Sequence, residues 1–282
     1  MNKILITGAN SYIGTSFEEY MKKYSGYIID TIDMIDGSWR EYDFSKYDTV
    51  FHVAGLAHAN PNPEMKDKYY KVNTDLAVET AEYAKKSGVK QFIFMSSIIA
   101  YGSKNCYIDE NTVPCPENFY GDSKLQADLR LQKLQDDKFN VVSIRPPMIY
   151  GKGSKGNYPR LAGLARKTPV FPSLNNQRSM LHIENLCEFI KLMIDNNEQG
   201  IFYPQNKEYV STAELVKTVG AVYGKKIRLI GVFNFILKPL SRKITVFNKL
   251  FGDLVYDKKM SDYKGYSYCV NDFEESIKRT EC

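Results

Sequence analysis

The sequence predicts an α/β fold, in which helices flank a doubly wound parallel β-sheet. Short apolar runs of strand length alternate with helical patterns over residues 1–150, as expected for parallel strands joined by crossover helices. A glycine-containing turn leads directly from the first run into a helix. The 282 residues, 43% of them hydrophobic, suffice for one large core or a core with a smaller annex.

The elements of the first half follow from apolar runs and from the residues that interrupt them. Buried strands are expected at residues 3–7, 27–32, 49–53, 91–95 and 141–144. Helices are expected at residues 13–24, 66–87 and 118–136. Gly88 supplies a helix C-cap, and Pro146 and Pro147 end the fifth strand.

The pattern changes after Pro147 and indicates a second region. A glycine- and lysine-rich loop at residues 151–159 is followed by amphipathic helices at 183–196 and 212–223. We expect residues 1–150, with 181–204 returning to them, to form one domain. Residues 151–180 and 205–282 would form a small second region.

Composition excludes several classes of protein. Residues 205–282 hold 14 basic and 9 acidic side chains, the whole net charge of +5, but no nucleic-acid recognition motif. A solvated face or a docking surface for an anionic ligand or lipid remain alternatives for this tail. No apolar run is long enough for a membrane span, although the basic, apolar stretch 225–251 leaves peripheral membrane contact open. Five cysteines without metal spacing, and a first strand at residue 3 with no targeting peptide before it, predict a cytoplasmic protein.

The first β→α turn, T-G-A-N-S-Y-I-G at residues 7–14, has the character of a dinucleotide-binding loop. Gly8 permits a tight turn, the helix N-terminus attracts a pyrophosphate, and Gly14 allows close packing of helix on strand. Asp33 ends the second strand, where a carboxylate binds the ribose hydroxyls of NAD and disfavours the 2′-phosphate of NADP. Ser11 replaces the usual middle glycine, and we expect this small residue to be tolerated. The sequence therefore predicts a Rossmann-type fold that binds NAD.

Tyr120 and Lys124 form a candidate catalytic pair at the start of a predicted helix. The i, i+4 spacing places both side chains on one helical face. A tyrosine is a weak base at neutral pH, and a nearby ammonium group would lower its pKa. Ser96 and Ser97 end the preceding strand, at the sheet edge where ligands bind. The combination indicates proton transfer beside a nicotinamide.

These motifs together resemble the extended short-chain dehydrogenase/reductase superfamily, and within it the NAD-dependent epimerase/dehydratase group that acts on nucleotide sugars. The resemblance covers nearly the whole chain and includes the motifs H-V-A-G-L (52–56), S-S-I-I-A-Y-G (96–102), Y-G-D-S-K (120–124), R-P-P-M-I-Y-G (145–151) and R-S-M-L-H-I (178–183).

The resemblance implies roles for individual residues. Ser97, Tyr120 and Lys124 would be catalytic, with Ser97 on the sugar 4-oxygen and Tyr120 as acid/base. The cofactor would contact Gly8, Asn10, Ser11, Tyr12, Ile13, Gly14, Asp33, Asp43, Phe44, Val53, Ala54, Gly55, Asn73, Tyr120, Lys124 and Pro147. The substrate, a UDP-sugar, would contact Ser97, Asn157, Val170, Phe171 and Arg178. A homodimer is implied as well.

A departure from the family pattern narrows the reaction. Family 4,6-dehydratases carry an Asp-Glu pair where this chain has Ile98 and Ile99, which cannot transfer protons. The resemblance then implies hydride transfer at C4, in a UDP-hexose epimerase. A 4-keto-sugar nucleotide reductase of surface-polysaccharide synthesis and a non-catalytic dinucleotide sensor remain alternatives. His52 and His182 are expected to be structural, His58 could face the substrate, and no metal site is expected.

Overall fold

The polypeptide folds into two units, each with its own hydrophobic core. The computed structural model describes residues 1–57, 63–102, 104–232, 234, 248, 251–265 and 267–282. Unit 1 comprises Met1–Gly102, Val113–Pro146 and Leu186–Pro204, and unit 2 comprises Ser103–Thr112, Pro147–Asn185 and Gln205–Cys282. The sequence analysis placed the boundaries between the two regions at residues 150 and 181. It assigned residues 103–112 to the first region. His58 and most of the stretch 225–251 lie outside the described residues.

A six-stranded parallel sheet forms the centre of unit 1. Strands are numbered along the whole chain, and those of this sheet are β1 (Asn2–Thr7), β2 (Tyr27–Ile32), β3 (Thr49–His52), β4 (Gln91–Met95), β6 (Asn140–Ile144) and β10 (Gly200–Phe202). Their spatial order is β10-β6-β4-β3-β1-β2, with every pair parallel. The order reverses beside β1, which is the edge where doubly wound sheets bind ligands. The predicted α/β fold is confirmed.

The apolar runs lie where a sheet covered on both faces requires them. Every residue of β3 and β4 is buried, which explains why these strands read as continuous apolar segments. The helices of unit 1 are α1 (Tyr12–Met21), α2 (Lys66–Tyr69), α3 (Leu76–Lys86), α4 (Phe119–Gln132) and, from Leu186 onward, α6 (Ile183–Asp195). A π-helical segment, Tyr70–Asp75, joins α2 to α3. The predicted helix 66–87 is therefore continuous but contains a π-helical segment.

Unit 2 is built from short elements around a smaller core. Its strands pair in parallel twos: β5 (Tyr107–Ile108) with β12 (Val255–Tyr256), β7 (Met148–Tyr150) with β9 (Met180–His182), and β8 (Val170–Pro172) with β11 (Arg228–Ile230). Its helices are α5 (Asn157–Ala165), α7 (Thr212–Val222) and α8 (Phe273–Glu281). Among the described residues, no helix is long and apolar enough to span a bilayer.

Candidate active site

The loop between β1 and α1 is held against the end of β3 by its first glycine. Gly8 has a φ of +121°, a conformation that side chains rarely adopt. A Cβ on Gly8 would lie 2.6 Å from the backbone nitrogen of Ala54, so any side chain here would displace the loop. Asn10 has a φ of +61° and is exposed at the tip. The loop therefore needs the residue types that a phosphate-binding turn uses.

Ser11 occupies the position of the usual middle glycine and caps α1. Its hydroxyl oxygen accepts a hydrogen bond from the Gly14 backbone N–H at 3.2 Å. Tyr12 and Ile13 form the first turn, whose N–H groups have no partner within the helix. Gly14 is buried, and a Cβ there would lie 3.1 Å from Ile6 Cγ2. The serine thus stabilises the helix start beside the loop.

Two acidic residues expected around the adenosine are exposed. Asp33 follows β2, and its Oδ1 accepts a hydrogen bond from Ile35 N at 2.8 Å. Asp43 accepts hydrogen bonds from the backbone and hydroxyl of Ser45, which lower the pKa of its carboxyl group. Both carboxylates are therefore available at the surface of unit 1.

Phe44, by contrast, has no exposed surface. It packs edge-on against Tyr83, with ring centroids 4.9 Å apart, inside the core of unit 1. The expectation that Phe44 borders the adenine stays a prediction, and its side chain lies in the core. Phe44 is a core residue because the sheet and α3 close over it.

The segment that follows β3 is fixed by a buried amide. Val53 and Ala54 are half-buried, and Gly55 is exposed. The Asn73 side chain accepts from Leu56 N at 2.7 Å and donates to Leu56 O at 3.2 Å. It also donates to Ser123 Oγ at 3.1 Å. Asn73 lies in the π-helical segment and connects the loop after β3 to α4, and its role in supporting the cofactor cleft stays a prediction.

Ser97 and Tyr120 lie together, as predicted. Ser97 caps the turn after β4, and its Oγ accepts from Ile99 N at 3.3 Å. Burial raises the pKa of Tyr120, and the hydrogen bond with Ser97 lowers it, so that the pKa remains above its ordinary value. The sequence predicted a pKa lowered by Lys124. That expectation is wrong for the protein alone, because burial outweighs the favourable contacts.

Lys124 is buried one helical turn after Tyr120. Its Nζ donates to the carbonyl oxygen of Met95 at 2.8 Å and lies 4.6 Å from the ring centroid of Phe94. Burial lowers the pKa of Lys124 to about 8, and the charge of Asp128 opposes that shift. A Cβ on Gly55 would lie only 3.1 Å from Nζ. The ammonium group therefore faces the glycine of the predicted cofactor cleft.

Unit 2 contains a second set of predicted residues. Arg178 and Asn157 both line a small cavity, together with Met148, Leu161, Met180, Val210, Ser211, Thr212 and Leu215. Among the residues that the structure describes, the Arg178 guanidinium makes one hydrogen bond, from Nη1 to Gly252 O at 3.2 Å. Burial lowers the pKa of Arg178 to about 10, and Asp253 opposes this. A half-buried guanidinium with spare donors is suited to an anion.

The remaining predicted substrate residues are not brought to this cavity. Val170 is 42% exposed, whereas Phe171 is buried in the core of unit 2, with its ring centroid 6.0 Å from that of Phe251. The structure gives Phe171 a packing role. Pro147 is buried at the start of unit 2.

Two of the histidines are structural, as expected. His52 is fully buried, and its Nδ1 lies 2.8 Å from Thr7 Oγ1. Burial and the nearby Lys124 lower its pKa to about 3, so the ring is neutral. His182 is buried as well, and burial lowers its pKa to about 4.

Sequence reasoning missed a buried ion pair near the catalytic residues. Asp128 and Arg145 are almost fully buried, and Arg145 Nε lies 2.9 Å from Asp128 Oδ2. A signal was present, because Asp128 follows Lys124 by four residues on an otherwise apolar helical face. Arg145 similarly follows a strand whose last four residues are all buried.

The chain is similar in sequence and in fold to known proteins of one family. The profile of the NAD dependent epimerase/dehydratase family matches residues 4–204. The chain is 32% identical to the UDP-glucose 4-epimerase of Vibrio cholerae over 276 residues, covering 88% of this chain and 82% of that one. It is 27% identical to the N-acetyl-α-D-glucosaminyl-diphospho-ditrans,octacis-undecaprenol 4-epimerase of Escherichia coli O157:H7, covering 80% and 74%. The crystal structure of the UDP-N-acetylglucosamine 4-epimerase from Bacillus cereus has the same fold, with a TM-score of 0.79, 15% identity and coverage of 99% and 97%.

Proposed function

The chain belongs to the NAD-dependent epimerase/dehydratase family, and we propose that it is an epimerase that inverts C4 of a UDP-hexose. The observation that carries this proposal is the assembly at the end of β4. There the hydroxyl of Ser97 hydrogen-bonds Tyr120, and Lys124 is buried one turn further along α4. A hydroxyl chain of this kind supports a role in proton transfer.

The residues of unit 1 fit NAD. Gly8 and Gly14 leave no room for a Cβ, so the loop keeps the shape that a pyrophosphate requires. A Cβ on Gly55 would also be crowded, because it would lie 3.1 Å from Lys124 Nζ. The exposed carboxylate of Asp33 supports binding of the adenosine ribose and a preference for NAD over NADP.

In the proposed mechanism, Tyr120 takes the proton of the sugar 4-hydroxyl and later returns it. Ser97 holds the sugar oxygen and the phenol in one hydrogen-bonded chain. Lys124 would hold the nicotinamide ribose and would contribute positive charge near the phenol. When bound, NAD supplies the hydride acceptor and donor for C4. Burial raises the pKa of Tyr120 and the hydrogen bond with Ser97 lowers it, so Ser97 favours the phenolate.

Arg178 and Asn157 are proposed to hold the diphosphate of the substrate. Both line the same cavity in unit 2, and the guanidinium has donors to spare among the described residues. The planar fork of an arginine matches phosphate oxygens in pairs. We keep the exposed Val170 as a proposed contact for the base.

A turnover assay with purified protein distinguishes the proposed activity from its alternatives. We expect bound NAD in the isolated protein and interconversion of UDP-glucose and UDP-galactose without added cofactor. Tyr120→Phe should retain the NAD and lose at least about 10²-fold in rate, since it removes the acid/base. Tyr107→Phe, which changes a half-exposed tyrosine of unit 2, is the matched control.

The outcomes separate three functions. Consumption of stoichiometric NADH or NADPH with a 4-keto sugar nucleotide, and no interconversion without it, would identify the reductase instead. Bound NAD with no reaction on any sugar nucleotide would favour the dinucleotide sensor. Near-normal turnover by Tyr120→Phe would refute the role of Tyr120.

A second candidate substrate is a sugar linked through diphosphate to a membrane lipid. The stretch 225–251 has seven basic and no acidic residues among apolar ones, a composition that favours an anionic membrane surface. We propose a cytoplasmic homodimer that touches the membrane peripherally through this stretch.

Sedimentation with phosphatidylserine vesicles should show binding that is lost at high salt. Binding that ignores ionic strength, or no binding at all, would contradict this.

A further inference from the structure

The buried carboxylate of Asp128 joins three elements of unit 1 at the predicted catalytic edge. Asp128 lies on α4, one turn after Lys124. Its Oδ2 accepts a hydrogen bond from Ser96 Oγ at 2.7 Å and from Arg145 Nε at 2.9 Å. Ser96 directly follows β4, and Arg145 directly follows β6. One oxygen atom thus links the helix of the catalytic pair to the ends of two neighbouring strands.

These contacts converge on consecutive residues of β4 and the turn after it. Lys124 Nζ donates a hydrogen bond to Met95 O, and Asp128 accepts one from Ser96. The hydroxyl of Ser97 is hydrogen-bonded to Tyr120. Three successive turns of α4 are therefore attached to three successive residues of one strand end. The register of helix and strand determines where the phenol and the ammonium group lie.

The ion pair is enclosed by aromatic and polar groups. Arg145 Nη1 donates to the hydroxyl of Tyr101 at 2.9 Å, and Tyr101 donates to Tyr203 at 3.3 Å. Burial raises the pKa of Asp128, while Arg145, Ser96 and Ser143 lower it. Because a guanidinium does not lose its proton in proteins, the short contact with Arg145 keeps the carboxylate ionised.

We propose that Asp128 is a positioning residue for the reaction. With Arg145 it fixes α4 against β4 and β6, and it supplies the counter-charge of the buried Lys124. This inference rests on the proposed function. A buried ion pair by itself is weak evidence for a gain in stability, because desolvation opposes the attraction. Its placement beside the catalytic pair is what indicates the role.

The test compares Asp128→Asn, Arg145→Gln and the double variant Asp128→Asn/Arg145→Gln. Each single change leaves a buried charge or polar group without its partner, so both should unfold at lower temperature. The double variant should recover much of the lost thermal stability, because neither charge is then unpaired. Its kcat should nevertheless stay at least about tenfold below wild type, because Lys124 has lost its counter-charge and α4 its anchor.

The pH profile gives a readout that a merely structural role would not move. The charge of Asp128 raises the pKa of Lys124, so its loss should move the alkaline limb of kcat/KM to lower pH. The groups that face Asp128 are Lys124, Ser96, Ser143 and Arg145, and Tyr101 and Tyr203 face Arg145. A binding titration with NAD shows whether each variant keeps its cofactor site.

Asp75→Asn is the matched control, because it breaks the exposed ion pair between Asp75 of the π-helical segment and Arg130, which lies on α4 as Asp128 does. It should leave kcat and the pH profile unchanged. Recovery of kcat together with stability in the double variant would overturn the proposal, and so would an unshifted profile in Asp128→Asn. If the single variants do not fold, the double variant alone decides through its kcat and profile. Failure of the wild-type protein to turn over any sugar nucleotide would instead refute the proposed function.

Discussion

Lys124 in unit 1 is a buried cation and Arg178 in unit 2 is a half-buried one, and their surroundings differ. Burial lowers the pKa of Lys124 to about 8 and that of Arg178 to about 10. Lys124 donates a hydrogen bond to the carbonyl oxygen of Met95 at the end of β4, and Asp128 lies one helical turn away. Arg178 makes one side-chain hydrogen bond among the described residues and lines a cavity. A cation with a protein counter-charge is suited to positioning, and one with spare donors is suited to capturing an anion.

The backbone around Arg178 supports this contrast. Arg178 exchanges two backbone hydrogen bonds with Val210, each 3.1 Å long, and the neighbouring Ser179 N donates to Leu254 O at 3.0 Å. The base of the side chain is therefore held by two segments of unit 2. Unit 2 thus fixes the position of the guanidinium and leaves its donors for a ligand.

The largest effect expected is that of Lys124→Met on kcat. Methionine keeps the bulk of the side chain but removes the charge and the hydrogen bond to Met95, so kcat should fall at least about 10²-fold. Wild-type kcat/KM should decline as the pH rises through about 8, where Lys124 loses its proton, and the variant should lack this limb. Steady-state kinetics between pH 6 and 10 measure both, with the exposed Lys133→Met as control. An unchanged alkaline limb in Lys124→Met would assign it to another group.

The next largest effect is that of Arg178→Ala on KM. Loss of hydrogen bonds to a charged phosphate should raise KM for the nucleotide sugar about 10- to 100-fold and change kcat less. Arg178→Lys should recover part of the affinity, because it keeps the charge without the fork. The control is Arg166→Ala, which changes a half-exposed arginine of the same unit. A fall in kcat at constant KM would mean that the two cations do not divide their roles as described.

A smaller effect is expected for Ser97→Ala. The hydroxyl of Ser97 lowers the pKa of Tyr120, so its removal should raise that pKa further. Because the phenolate is the base, the acid limb of kcat/KM should move to higher pH, and the rate at pH 7 should fall about tenfold for one unit. The exposed Ser25→Ala is the control. An unchanged acid limb would show that Ser97 does not influence the pKa of Tyr120.

The sequence alone predicted the fold and the resemblance, and both are confirmed by the structure and the family match. Strand runs, the glycine turn and the Tyr120–Lys124 spacing are local features, so they could be recognised locally. The burial of Phe44 and Phe171 could not, because it depends on elements far away in the chain that close over each ring. The raised pKa of Tyr120 was missed for the same reason, since desolvation is a property of the packed protein.

The membership of residues 103–112 in unit 2 shows the same limit on a larger scale. In the sequence these residues continue the first region without a break. In the structure β5 pairs with β12, about 150 residues further along the chain. The roles assigned to the cofactor and substrate residues remain proposals that the kinetic experiments address.

The most direct test of the proposed mechanism follows a deuterium label at C4 of UDP-glucose. We predict that the protein converts the labelled substrate to UDP-galactose without added cofactor and that the product keeps the deuterium at C4, as observed by NMR. That result is expected when the hydride leaves C4 and returns to the same carbon, and it excludes a route through proton exchange with solvent at C4. Loss of the label to solvent, or no conversion of any UDP-hexose, would contradict the account.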